Sequence, residues 1–324
     1  MKQILKIALT VVAVIFATAS FAARDKRKTL TGSGNIVSKV ITINNQYSNL
    51  LAMTGVEVIM NESEDNFVKI DADDNVIDWV VCEVKGDILE VCVRKPDCTT
   101  YNNLNVRVTL PKNENLFRIE GRAAASVTIK PTLHASEKIF LRVNSAATIS
   151  VNRAEAPNIG IDATSAGKVK GSFRCSHFTA KATSAAEISG SLLAERVSTI
   201  TDSAGEIELT GAATQISAQA TSSGKILCSR LCTQNAAGSV SSGGKITFDC
   251  YDSLFARATS SGDIISTNST AKRATAEASS GGTVKLNCSG SLNAMATSGG
   301  DIRYTGGCSL SGSQTSSGGS IKPL

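Results

Sequence analysis

The sequence predicts an all-β fold, a single-stranded parallel β-helix of about ten coils of 18–20 residues with an N-terminal β-rich cap. The first observation is a phrase that recurs through the second half, as ATSAGKV at 163–169, ATSSGKI at 220–226 and ATSGGDI at 296–302. The second is that apolar or small residues alternate with polar ones before each copy, which is the period of a strand. The third is that no helical period follows residue 22. We favour the right-handed form of the helix.

Each copy of the phrase carries one Ile or Val that we use as an anchor. Consecutive anchors lie 18, 19 or 20 residues apart, and a degenerate eleventh copy lies at Val127. A unit of this length cannot bury a core alone, but it gains backbone pairing and an interior when it stacks on copies of itself. The ten anchors are Ile149, Val169, Ile188, Ile207, Ile226, Ile246, Ile264, Val284, Ile302 and Ile321.

Two further positions recur in every copy. The residue two before the anchor is glycine except at Ala147 and Ala186, so this position requires a small residue at least as much as an unusual backbone angle. A serine lies four residues before each anchor. We expect these serines to stack in a column and their hydroxyl groups to hydrogen-bond to one another. We also expect Ser260 and Ser298 to face inward. The serines are Ser145, Ser165, Ser184, Ser203, Ser222, Ser242, Ser260, Ser280, Ser298 and Ser317.

The chain divides into four segments. Residues 1–22 have the features of a signal peptide, with Lys2 and Lys6 before an apolar run and small residues up to a cleavage site after Ala22. Residues 23–33 are charged and are expected to form a flexible tail. Residues 34–121 contain short β-rich runs, and residues 122–324 hold the Ser/Gly-rich repeats. The chain is therefore expected to be exported to the periplasm, the cell surface or the medium.

Charge and cysteine content narrow the classes of partner and site. A formal net charge of +5 over 324 residues is too small a surplus for a nucleic-acid binder. No apolar run of about 18 residues follows residue 22, so no membrane span is expected after cleavage. There are nine cysteines without a CxxC motif, and we interpret those in the repeats as small buried apolar side chains.

The sequence contains no motif that assigns a catalytic, cofactor-binding or metal-binding residue. There are two histidines, His134 and His177, and we interpret His177 as a loop residue. The acidic cluster around Asp71, Asp73 and Asp74 lacks the glycine and the glutamate of a calcium loop, so a charged turn explains it better. We expect no cofactor and no enzymatic activity.

Several motifs, taken in order, resemble one known family. They are the segments 32–37 (GSGNIV), 56–59 (VEVI), the hairpin strands around 81–93 and 106–111 (VRVTLP), followed by the Ser/Gly repeat. This order resembles the putative auto-transporter adhesin, head GIN domain family of bacterial exported proteins. The resemblance covers nearly all of residues 30–324. It implies a β-helical exported protein and transfers no catalytic residue.

The function predicted is adhesion or binding by a non-enzymatic surface at the bacterial envelope, with an envelope glycan or protein as partner. The alternatives are a carbohydrate-active β-helix enzyme, which requires several acids to converge in a groove, and a purely structural envelope protein. No capping segment follows Ile321, so we also expect the C-terminal coil to self-associate or to bind a partner. The aromatic residues of the repeats do not share one coil position; they are Phe140, Phe173, Phe178, Phe248, Tyr251, Phe255 and Tyr304.

Overall fold

The computed structural model describes residues 28–43 and 46–324, which form a β-solenoid of about 11 turns with 69% of the residues in strands. The all-β solenoid predicted from the repeats is confirmed, whereas its handedness stays a prediction. The expected signal peptide, residues 1–22, lies outside the described residues. Within the described ranges the only helix is a short 3-10 turn at Ile77–Trp79. None of the described residues forms a helix long and apolar enough to cross a membrane.

Ten strands precede the repeat region, and fourteen more lie within it. The first set is β1 (Lys28–Thr31), β2 (Ile36–Thr42), β3 (Asn49–Ala52), β4 (Glu57–Met60), β5 (Phe67–Asp73), β6 (Val80–Lys85), β7 (Ile88–Val93), β8 (Cys98–Asn102), β9 (Val106–Leu110) and β10 (Arg118–Gly121). The second set begins with β11 (Ser126–His134), β12 (Lys138–Val143), β13 (Thr148–Glu155), β14 (Asn158–Ala163), β15 (Lys168–Thr183), β16 (Glu187–Asp202), β17 (Glu206–Ala220) and β18 (Lys225–Val240). It ends with β19 (Lys245–Ala258), β20 (Asp263–Ala278), β21 (Thr283–Ala296), β22 (Asp301–Thr305), β23 (Ser309–Thr315) and β24 (Ser320–Pro323).

The anchors form one continuous ladder, because consecutive coils pair in parallel with every anchor in register. All of them are buried except the last, Ile321, which is partly buried. Val127 pairs with Ile149, so the degenerate eleventh copy is confirmed. The ladder continues beyond it to Val58 and then to Val108. These two rungs come from the N-terminal region, so the solenoid extends further than the repeated phrase.

A tight turn closes each coil immediately before the anchor. In the coil of Val169, Gly167 N–H donates to the carbonyl of Thr164 at 3.0 Å, and the two central residues, Ser165 and Ala166, have φ of 52° and 58°. Two left-handed central residues with this hydrogen bond are the features of a type I′ turn. Adjacent turns are also joined, since Ala166 N–H donates to the carbonyl of Ser184 at 3.0 Å.

The serine column has a different role from the one predicted. Ser260 and Ser298 are exposed turn residues, so the expectation that they face inward is wrong. The register between coils depends on the serine carbonyl, as in the bond from Ser261 N–H to the Ser280 carbonyl at 3.2 Å. The serines tolerate positive φ because they are short and their backbone groups are paired on the neighbouring coil.

The small size of glycine explains why it lies two residues before most of the anchors. At Gly205 a Cβ atom would lie 2.1 Å from the carbonyl oxygen of Ala182 on the preceding coil. Its φ lies outside the left-handed region, so conformational freedom is not what the position requires. The same close approach recurs at Gly300, where a Cβ would lie 2.2 Å from the carbonyl oxygen of Ala278.

Antiparallel strands terminate the parallel stack at its N-terminal end. β5 pairs antiparallel with β9 and with β2, and β6 pairs antiparallel with β7. The expected flexible tail over residues 23–33 is wrong for Lys28–Thr31, which forms β1 and pairs in parallel with β8. Leu30 is buried in this strand, which supplies an apolar contact that the charged composition of the tail does not suggest.

One buried carboxylate fastens the segment after β1 to the rest of this region. Asp73 accepts hydrogen bonds from the backbone N–H of Gly34 at 2.8 Å and of Asn105 at 2.7 Å, and from the Asn105 side-chain amide at 3.1 Å. Burial by itself would raise the pKa of Asp73, but the hydrogen bonds from Asn105 and Gly34 outweigh it and hold the pKa below its ordinary value.

Asp73→Asn should lower the free energy of unfolding by about 2 kcal/mol at pH 7, because an amide cannot accept all three bonds. A depressed pKa contributes stability that is present above the unfolded pKa of about 4 and is lost as pH falls below it. The wild-type protein should therefore lose more stability than the variant between pH 6 and pH 3 in urea unfolding. Equal losses in the two proteins would contradict this role of Asp73.

Candidate functional site

The candidate site is an open groove of about 490 Å³ on the outer surface of the central coils. It crosses five consecutive strands, β15 to β19, which contribute three residues each except the last, which contributes two. The lining residues are His177, Phe178, Thr179, Arg196, Val197, Ser198, Gln215, Ile216, Ser217, Asn235, Ala236, Ala237, Ser253 and Phe255. The volume lies within the range of small-molecule and cofactor sites.

Two outward ladders form the groove, and the register between coils builds both. The wall ladder contains the residues eleven before each anchor, His177, Arg196, Gln215, Asn235 and Ser253, which pair from coil to coil. The small-residue ladder contains the residues nine before each anchor, Thr179, Ser198, Ser217 and Ala237. Between the two ladders, Phe178, Val197, Ile216 and Ala236 are buried. The groove therefore combines polar side chains along one wall with short side chains along the other.

Two aromatic residues continue the column of the small-residue ladder, one beyond each of its ends. Register places Phe140 and Phe255 in this column, with Gly160 next to Phe140 and Ala237 next to Phe255. The prediction that the aromatic residues of the repeats share no coil position is therefore wrong for this pair. Phe255 is 40% exposed and forms the C-terminal end of the groove. The exposed part of its ring can contact a ligand that lies in the groove.

His177 lies inside β15 rather than in a loop, so the prediction for this residue is wrong. It pairs with Asn158 on one side and with Arg196 on the other, which fixes it in the strand. Its Nε2 accepts a hydrogen bond from Nε of Arg196 at 2.9 Å. An accepting imidazole nitrogen carries no proton, so the interaction leaves the positive charge of Arg196 uncompensated.

Comparison with protein families identifies the chain. Residues 46–193 and 169–270 match the model of the family described as "Putative auto-transporter adhesin, head GIN domain". The two matches overlap and together span more than half of the chain. The chain belongs to the head GIN domain family. This confirms the resemblance that the order of the sequence motifs indicated. No curated protein matches the chain significantly.

A solved structure of a putative adhesin shares the fold of this head GIN domain protein. A putative adhesin from Parabacteroides distasonis has 14% sequence identity and a TM-score of 0.54, over 92% of this chain and 100% of that chain. A putative adhesin from Parabacteroides merdae has 15% identity and a TM-score of 0.49, over 91% and 99%. A putative lipid binding protein from Parabacteroides distasonis has 20% identity and a TM-score of 0.47, over 92% and 100%. At these identities the likeness concerns the fold alone.

The lining of the groove in this head GIN domain protein is free of acidic residues. His134 lies at the surface with its Nδ1 3.4 Å from a carboxylate oxygen of Glu155. In the acidic cluster, Asp74 accepts a bond from the Ser33 hydroxyl at 2.6 Å, and Asp71 lies 2.9 Å from Nζ of Lys69. Within residues 28–43 and 46–324, no three His, Cys, Asp or Glu side chains are placed to hold a metal ion.

Three of the six cysteines in the repeats are buried, as predicted; they are Cys228, Cys250 and Cys288. Cys175 and Cys308 are only partly buried and Cys232 is exposed, so the prediction holds in part for the first two and is wrong for Cys232. Burial raises the pKa of the Cys228 thiol to about 12, which keeps it protonated and unreactive. Cys82 pairs with Val91 rather than with Cys92, so the two hairpin cysteines are not directly opposite.

Proposed function

We propose that this protein is a non-enzymatic binding protein of the bacterial envelope that holds an extended ligand in the groove of β15 to β19. The observation that carries the proposal is the groove itself, which is open, lies along the solenoid axis and is lined by hydrogen-bonding side chains. An open groove of this kind accepts a chain that continues beyond it at both ends. Membership of a family described as adhesins supports a role in binding.

The lining of the groove favours binding over glycoside hydrolysis. Most glycosidases need a pair of carboxyl groups about 5 to 10 Å apart across the scissile bond. The groove presents imidazole, guanidinium, amide and hydroxyl groups instead, with no carboxylate among its lining residues. These groups can hold a polar ligand by hydrogen bonds, but they do not supply the pair of carboxyl groups that most glycosidases use. Location at the envelope is inferred from the predicted signal peptide and the family.

Ser217→Trp tests the proposal by filling the middle of the groove with an indole ring. The mature protein from residue 23 and this variant are compared on an array of bacterial envelope glycans and on purified envelope proteins. The variant should lose at least about tenfold in affinity for whatever the wild type binds, since a blocked groove excludes the ligand. The matched control is Ser189→Trp, which adds the same ring to β16 outside the groove. Equal binding by both variants would overturn the proposal.

A further inference from the structure

The charge of the groove narrows the class of ligand. Twelve arginines lie in the part of the chain that the structure describes, and most of them have a carboxylate within 4 Å. The paired residues are Arg94, Arg107, Arg118, Arg122, Arg142, Arg153, Arg230, Arg257, Arg273 and Arg303. Among these described arginines, Arg174 and Arg196 have no carboxylate partner. Arg196 lines the groove, so the groove holds a guanidinium that the protein does not neutralise.

The immediate surroundings of Arg196 leave its charge available to a ligand. Its partner across the coil, His177, accepts from Nε and so occupies one of the five guanidinium donors. Glu195 is its neighbour in sequence but lines a separate depression with Arg174 and Leu193. The terminal nitrogens of Arg196 can therefore form a two-point contact with a carboxylate, sulfate or phosphate group.

The far end of the groove has the opposite chemistry. Phe255 is exposed there, three coil steps from Arg196, a separation of about 14 Å along the axis. Gln215 and Asn235 lie in the wall ladder between them, and each carries a side-chain amide that both donates and accepts. A ligand that fits this order has an acidic group at one end, hydroxyl groups along its length and an apolar ring face at the other end.

We infer that the groove binds an acidic oligosaccharide that lies along the solenoid axis, with its negative group on Arg196 and one sugar ring against Phe255. This inference rests on the proposed function of the groove and adds the class of ligand. A fatty acid shares the negative group but cannot use the amides of the wall ladder. A neutral glycan shares the hydroxyl groups but leaves Arg196 without a partner.

The experiment measures binding of the mature protein to uronate-, sialate- and sulfate-bearing oligosaccharides, each beside its neutral counterpart, and to palmitate. The wild type should bind one or more acidic members, more weakly as salt increases, and should bind the neutral counterparts at least about tenfold less tightly. Arg196→Gln should weaken binding of the acidic member by about 10- to 100-fold and should leave the neutral counterpart unchanged. Arg196→Lys keeps the charge and should recover part of the loss.

Phe255→Ala provides a second variant that keeps Arg196. It should weaken binding of acidic and neutral members by the same factor, about tenfold, so the preference for the acidic member stays. Equal binding of acidic and neutral glycans, or no effect of Arg196→Gln, overturns the acidic ligand. Binding of palmitate or of an envelope protein alone, abolished by Ser217→Trp, also overturns it while the proposed function of the groove stands. If Ser217→Trp binds the ligand as tightly as the wild type does, both the acidic ligand and the proposed function of the groove are overturned.

Discussion

Ile207→Ala should lower the free energy of unfolding by about 2–5 kcal/mol. Ile207 is fully buried and pairs in register with the anchors Ile188 and Ile226 on the adjacent coils. Truncation leaves a cavity between these two neighbours, and the coils cannot collapse to fill it because their backbones are hydrogen-bonded in register. The loss should appear in urea unfolding and in faster hydrogen exchange of β16 and β18, the nearest neighbours of the mutated coil.

Ile200→Ala is the matched control for this prediction. Ile200 lies on β16 and points outward with 40% of its surface exposed. The same truncation there leaves no cavity between the coils, so the free energy of unfolding should change by less than about 1 kcal/mol. Similar losses of stability in the two variants would show that burial of the anchors does not stabilise the solenoid more than an exposed side chain does.

The anchor ladder was predictable because each rung of the repeats is an Ile or Val at a nearly constant spacing. Val127 could be recognised as a rung since its spacing from Ile149 is close to that of the other copies. Val58 and Val108 could not, because they are stacked out of chain order: β9 pairs with β4, and β4 pairs with β11. Contacts between segments that are far apart in sequence leave no periodic pattern in a single sequence.

The groove was missed because its residues differ from coil to coil. Thr179, Ser198 and Ala237 occupy the same column, but they are different residue types and so do not indicate a shared role. Counting nine and eleven residues back from each anchor would have aligned both ladders, including Phe140 with Phe255. The two ladders could therefore have been predicted from the register of the anchors. The hydrogen bond of Arg196 to His177, and the lack of a carboxylate beside Arg196, could be seen only in the structure.

The serine turns depart from the usual residue preferences of their turn type. Type I′ turns usually carry Asn or Gly at their left-handed positions. Here Ser184 and Ala185 occupy them with φ of 54° and 59°. Each such residue costs about 1 kcal/mol or more in isolation. The hydrogen bond from Ala185 N–H to the Ser203 carbonyl at 3.0 Å helps to offset this cost, and the stacking repeats it at every coil.

Gly211→Ala should destabilise the solenoid by about 3 kcal/mol or more. Gly211 has φ of 114°, a conformation that residues with a Cβ rarely adopt. A Cβ atom would also lie 2.2 Å from the carbonyl oxygen of Leu192 on the preceding coil. Backbone strain and a backbone clash therefore act together, and the coil can relieve them only by separating β16 from β17.

Gly243→Ala separates these two effects. Gly243 also has positive φ, at 70°, but the nearest atom to an added Cβ is the Ser223 hydroxyl oxygen at 3.7 Å. Ala185 occupies the equivalent turn position in another coil, so the substitution should cost only about 1 kcal/mol. Thermal and urea unfolding of both variants measure the difference. If Gly211→Ala costs no more than Gly243→Ala, the close approach of the two coils at Gly211 is not a constraint on the fold, and strain at positive φ accounts for both glycines.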